Sequence, residues 1–191
     1  MKIGLYFGSY NPIHIGHQII ANSMLEHTDM DEVWFVVSPQ NPFKANQQLL
    51  DDQERVEMVR LAVEDNPRIK VCDIELTLPR PSYTYTTLCH LHKLHPNHEF
   101  RLIMGSDNLE HFDRWRNFED IVAEHQVYVF PRPNHPLGRW ENHPAIHWVE
   151  CPQMEISSSY IRKEIAEGRS AQYLLAPKVW QQIIKKEFYK N

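Results

Sequence analysis

A chain of 191 residues that is 42% hydrophobic and 24% charged has an ordinary globular composition, which excludes disorder, collagen-like repeats and coiled coil. Its net charge of −5 speaks against generic DNA binding through a basic surface. It leaves room for a small anionic ligand, which needs only a few local cations and some backbone N–H groups.

The length suits one domain over residues 1–191, large enough to bury roughly 70% of the surface its unfolded form exposes. Three widely spaced cysteines, Cys72, Cys89 and Cys151, suggest no disulfide framework and a reducing compartment. The N-terminal apolar run breaks at Asn11-Pro12, too early for a signal peptide, and Val33 to Val37 is far too short for a membrane span. A cytoplasmic protein without membrane or nucleic-acid partners is expected.

In chain order, Ile3 to Phe7 reads as a buried strand, followed by the loop GSYNPIHIG and a helix from about His17 with Ile19, Ile20, Met24 and Leu25 on one side. Val33 to Val37 is a second strand, leading into the polar loop SPQNPFKANQQ. Asp51 with Glu54 predicts a capping box opening a helix that ends near Asn66-Pro67. Ile69 to Cys72 and Ile74 to Leu76 read as strand, and Thr84 to about His95 as helix. Phe100 to Met104 is the next strand. Asn108–Trp115 and Phe118–Glu124 read as short helices, Val127–Phe130 as a strand, 131–145 as a proline-rich loop and Ile146–Val149 as the last strand. Helices over Ser157–Glu167 and Pro177–Tyr189 close the chain, with Pro177 at a first helical position. Alternating helices and through-apolar strands predict an α/β fold: one Rossmann-like, doubly wound parallel sheet with helices on both faces. Such a sheet binds ligands at the carboxyl ends of its strands, so the loops after residues 7, 37, 104 and 130 are where a site belongs.

The first of these loops carries His14-x-Gly16-His17. Backbone N–H groups at a helix start attract phosphate, glycine permits close approach, and two histidines three apart can point to one place. Late in the chain, Ile156-Ser157-Ser158-Ser159 opens a helix with Arg162 one turn along. Alone this is an ordinary serine N-cap with a surface arginine; with the first motif it reads as a phosphate clamp.

These strings resemble the HxGH and ISSTxxR signatures of the nucleotidyltransferase superfamily of α/β phosphodiesterases. GSYNPIHIGH is similar to the GxFxPxHxGH of nicotinate (nicotinamide) mononucleotide adenylyltransferases, with Tyr10 in place of Phe. Further matches cover nearly the whole chain. Gly105-x-Asp107 with Trp115 resembles the family's GxD…W segment, and Ser82 to Leu88 resembles SYTxxTL. Arg132 is similar to the arginine of the RPG turn, with Asn134 where glycine is usual. Lys44 resembles the lysine of PPHK, with Phe43 for His and Asn41 for the first Pro.

The resemblance implies transfer of AMP from ATP to nicotinate mononucleotide, giving deamido-NAD and pyrophosphate in NAD biosynthesis. It places His14 and His17 at the reacting phosphates. It implies ATP contacts at Gly8, Ser9, Tyr10, Gly16, Gly105, Asp107, Ile156, Ser157, Ser158 and Arg162. Mononucleotide contacts are implied at Asn11, Lys44, Thr84, Tyr85, Thr86, Trp115 and Arg132. Mg²⁺ is expected with ATP, without a dedicated protein metal site, and a homo-oligomer is compatible. Three other readings stay open: nicotinamide mononucleotide as acceptor, adenylyl transfer to pantetheine phosphate or a flavin nucleotide, and nucleotide binding without turnover. SYTYTTL and the Asp107–Trp115 pair argue against another acceptor class. Two phosphate-facing histidines argue against mere binding. Outside the resemblance, His92 and His95 share a helix face near Cys89, His90, His98 and Glu99. The spacing fits no standard zinc pattern, so a polar helix face is expected there.

Overall fold

Strands that are apolar throughout must be covered on both faces, and the two cores of this protein do that. The computed structural model describes residues 1–39 and 49–190. Six strands form one sheet: β1 (Lys2–Gly8), β2 (Glu32–Val37), β3 (Ile69–Cys72), β4 (Glu99–Gly105), β5 (Val127–Phe130) and β6 (Ile146–Trp148). Every pairing is parallel, in the order β3-β2-β1-β4-β5-β6. The helices are α1 (Ile15–His27), α2 (Asp52–Val63), α3 (Thr84–Leu94), α4 (Ser106–Leu109), α5 (Phe118–Glu124), α6 (Ser158–Ala166) and α7 (Pro177–Lys186).

The period-2 alternation of strand side chains sorts the sheet into its two cores. Val33, Phe35, Val37, Ile103 and Phe130 face the core built with α1, α2, α6 and α7. Ile3, Leu5, Val36, Phe100, Leu102, Val127 and Val129 face the core that contains Leu88, Leu91 and Ile121. The strand order reverses at β1, which pairs with both β2 and β4. The crevice at such a reversal lies beyond the carboxyl ends of β1 and β4.

Several local expectations change in the fold. Ile74–Leu76 is a 3-10 turn rather than strand. The last β2–β3 pair is Val36 with Cys72, so the chain leaves the sheet there and buries Glu75 against Ser82 and Thr87. The helix expected over Asn108–Trp115 is split into α4 and a 3-10 turn at Phe112–Arg114. That break lets fully buried Phe112 pack against Trp115, Phe118 and Trp140. Asp51 does cap α2, accepting from the Gln53 N–H at 2.9 Å, but Glu54 pairs with Lys186 on α7 instead of turning back to the cap. Helix α1 begins at Ile15, which puts His17 in its first turn. Helix α7 stops at Lys186, where Glu187 adopts a left-handed φ of 56°. The histidine face of α3 stacks in pairs, His92 on His125 and His95 on His98, around Phe100. Among the described residues no group of three or more His, Cys, Asp or Glu is placed to hold a metal ion, and no helix is long and apolar enough to cross a membrane.

Candidate active site

The carboxyl end of β1 runs into a loop whose centre is buried. Tyr10 takes a left-handed φ of 47° and turns its ring inward, 2% exposed, with its hydroxyl donating to the Tyr6 carbonyl. The side chain of Tyr10 therefore braces the loop from below. Asn11 is equally buried, and its Oδ1 accepts from the Leu50 N–H at 3.3 Å and the Tyr189 hydroxyl at 2.9 Å.

His14 is the N-cap residue of α1, and His17 stands in the first turn. Their rings stack at 3.7 Å, and the Tyr10 ring meets His17 edge-on at 5.1 Å. A Cβ on residue 16 would lie 3.1 Å from the His14 ring, so glycine there lets that ring lie over the helix start. The His14 backbone N–H donates to His17 Nδ1 at 3.2 Å. An accepting Nδ1 puts the proton of neutral His17 on Nε2, leaving a fixed N–H donor on the other side of the ring.

Burial keeps both imidazoles neutral, helped by the positive charge of Arg132. His14 is lowered to about 4, and His17 lies well below its ordinary value. The unfolded chain takes up the His14 proton near pH 6.5, the folded chain only near 4, so this residue's stabilising contribution is full above pH 6.5 and declines as pH falls toward 4. We expect the His14 ring protons in an NMR titration to hold their neutral-form shifts down to about pH 5. A midpoint near the ordinary histidine value would contradict the buried geometry.

Two cavities adjoin this pair. The larger, about 460 Å³, is lined by Gly8, Ser9, His17, Thr84, Trp115 and Arg132, among others. That size suits a mononucleotide. Gly105, Asp107, Glu75, Ser82 and Tyr83 also line it. The smaller, about 20 Å³, lies against His14, Gly16, Phe130, Arg132, Cys151 and Ile156. It has room for a water but not for a purine. Arg132 and Phe130 line both cavities, which places His14, His17 and Arg132 at their junction. Arg132 lies over the Phe130 ring, and its Nε is 3.8 Å from Asp107.

The two sequence signatures, far apart in the chain, meet here. Ser158 Oγ donates to the Pro12 carbonyl at 2.8 Å, and Arg162 donates to the Asn11 carbonyl at 2.8 Å. Ser157 caps α6 by accepting from the Tyr160 N–H. Ser158 and Arg162 thus hold the loop that carries His14, and the guanidinium keeps further N–H donors.

Other expected contacts are placed less directly. Thr84 lines the larger cavity, whereas Tyr85 packs partly against the second core and Thr86 is exposed. Gly8, Ser9, Gly105 and Asp107, expected around ATP, line the larger cavity beside Trp115. Lys44 lies outside the described residues. Four contributors escaped the sequence reading. Glu75, Arg114 and Arg116 line the larger cavity, the Arg116 guanidinium 4.9 Å over the Tyr83 ring. Fully buried Arg55 donates to the carbonyls of Ser9, Ser38, Pro39 and Leu50. An acid between apolar Ile74 and Leu76, and an arginine among the apolar positions of α2, were the only signals.

A parallel sheet with two phosphate-type motifs joined at its switch point defines a nucleotide-binding α/β protein of the nucleotidyltransferase class. A family model described as cytidylyltransferase-like matches residues 5–164. The protein of Flavobacterium johnsoniae named "probable nicotinate-nucleotide adenylyltransferase" is 55% identical over all of both chains. One of the same name from Cytophaga hutchinsonii is 47% identical, again over all of both chains. Among solved structures, a Plasmodium falciparum nicotinic acid mononucleotide adenylyltransferase complexed with NaAD superimposes with a TM-score of 0.82 at 22% identity, covering 98% of this chain and 97% of that one. The chain belongs to the cytidylyltransferase-like family, in its nicotinate-nucleotide adenylyltransferase branch.

Proposed function

We propose that this protein transfers AMP from ATP to nicotinate mononucleotide in NAD biosynthesis, as a cytoplasmic enzyme. The observation that carries the reading is the junction of two cavities at His14, His17 and Arg132. A phosphate oxygen of the mononucleotide, already ionised at neutral pH, attacks the α-phosphorus of ATP. The bond to the bridging oxygen breaks and pyrophosphate leaves. No general base is needed; the step asks for alignment and neutralisation of charge. His17 Nε2–H and His14 face the triphosphate, Ser158 and Arg162 its β- and γ-phosphates. Arg132 faces the mononucleotide phosphate, and Trp115 supplies a flat face for the cationic pyridine ring. Mg²⁺ would enter with ATP, held chiefly by the triphosphate and water rather than by a dedicated protein site, and would neutralise triphosphate charge.

The acceptor end favours a carboxylate. No side chain caps the start of α3, so its first N–H groups and its dipole are open to an anion. Arg116 over Tyr83 adds positive charge. Glu75 reaches the same cavity, but its two hydrogen bonds come from the Ser82 and Thr87 hydroxyls. An amide NH₂ facing N–H donors costs about 1–3 kcal/mol, so kcat/KM for nicotinate mononucleotide should exceed that for the nicotinamide form by about 5- to 150-fold. Pyrophosphate release with ATP–Mg²⁺ and nicotinate mononucleotide, nicotinamide mononucleotide, phosphopantetheine or flavin mononucleotide tests both statements. Turnover with phosphopantetheine or the flavin alone would reject the proposed acceptor. Equal use of the two pyridine nucleotides would reject only the acid preference.

A further inference from the structure

A carboxylate buried beside an anion site calls for an explanation. Glu75 is 2% exposed and lines the larger cavity, and among the described residues no Lys, Arg or His forms an ion pair with it. Its charge is met by two hydroxyl donors, Thr87 Oγ1 at 2.7 Å and Ser82 Oγ at 3.2 Å. These partners flank the start of α3, where Tyr83 is the N-cap residue. Glu75 itself sits on a stiff 3-10 turn closed by the Leu76 and Thr77 N–H groups.

We propose that Glu75 is a positioning residue for the acceptor mononucleotide: its carboxylate holds Ser82 and Thr87 so that the uncapped N–H groups of α3 stay aimed into the cavity. The proposal rests on the reading of this cavity as the mononucleotide site. A carboxylate only accepts, so it draws both hydroxyl protons to itself. The alternative partner of the Thr87 hydroxyl is the Tyr83 carbonyl at 3.3 Å. That back-bond to the residue four before bends helices. Without Glu75 the Thr87 proton turns to Tyr83, Ser82 loses its partner, and the first turn of α3 shifts. A glutamine keeps the geometry: its oxygen accepts from Thr87, and its NH₂ donates to the Ser82 oxygen.

Steady-state kinetics of the full chain, with thermal melts as a check of folding, provide the test. Glu75→Ala and Thr87→Val should each raise KM for nicotinate mononucleotide about tenfold, with kcat and the KM for ATP within about threefold of wild type, as lost ground-state positioning requires. Glu75→Gln should return the mononucleotide KM to within about threefold of wild type. A Glu75→Ala protein that melts normally with an unchanged mononucleotide KM overturns the proposal. So do equal rises in both KM values, or a glutamine variant as impaired as the alanine one. If Glu75→Ala does not fold, Thr87→Val decides by the same criteria. Wild type inactive with nicotinate mononucleotide would instead reject the function on which the proposal rests.

Discussion

Replacing His17 by alanine should lower kcat by roughly 10²–10³-fold, the scale for loss of one preorganised donor to a transition state. The KM for ATP should change far less. The reason is geometric. The His14 N–H occupies Nδ1 and burial keeps the ring neutral, so Nε2–H is a donor whose direction is set before substrate arrives. A preorganised donor stabilises charge that grows during transfer more than charge already present in bound ATP. His14→Ala should act in the same direction, because it removes the ring stacked on His17. Rapid-quench single-turnover rates isolate the chemical step from product release. Near-normal turnover in both variants would reject a catalytic role for this pair.

Arg55→Met should destabilise the protein by about 3–5 kcal/mol, because breaking a buried charged network leaves its partners unpaired. The guanidinium serves carbonyls at the ends of β1 and β2, together with Asp52, which also pairs with Arg80 at 2.5 Å. Methionine fills the volume but leaves the Ser9, Ser38, Pro39 and Leu50 carbonyls without this donor. At 2–4 °C per kcal/mol for a chain of this size, the melting temperature should fall by roughly 10 °C. A fall below about 2 °C would show that water replaces the arginine without cost. Since Ser9 borders the larger cavity, the same variant should also weaken mononucleotide binding.

The contrast between Arg55 and His17 shows where sequence reading reaches its limit. His17 announces itself through its neighbours: a strand, a glycine and a second histidine, all within ten residues. Arg55 lies in a helix whose charged residues look like a solvated face, and its partners are up to 46 residues away. Glu75 was hidden for a related reason. Ile74 and Leu76 carry a strand-like alternation, yet β2 offers no register beyond Val36–Cys72, and a segment without a strand partner is free to curl. Likewise the apolar spacing of Asn108–Trp115 matches a helix, but packing Phe112 into the second core breaks it. Tyr10 and Asn11 stand inside the first motif, and only their burial shows that these side chains brace the loop.

Hydrophobic period and turn residues alone determined the alternation of strands and helices, and with it the parallel sheet. These signals are local: a strand buried on both faces, or a helix with one apolar stripe, carries its environment in its own residues. The two phosphate-type motifs were legible for the same reason, since each is a short string at a helix start. Tertiary structure alone decided that Ser158 and Arg162 reach Pro12 and Asn11. It also decided that the rings of His14 and His17 stack between two cavities, and that a buried carboxylate and a buried guanidinium hold the loops around them. Such contacts join residues up to 151 positions apart. Local pattern records that a side chain is to be buried, whereas its partner is set by how the strands order and where the chain crosses between them.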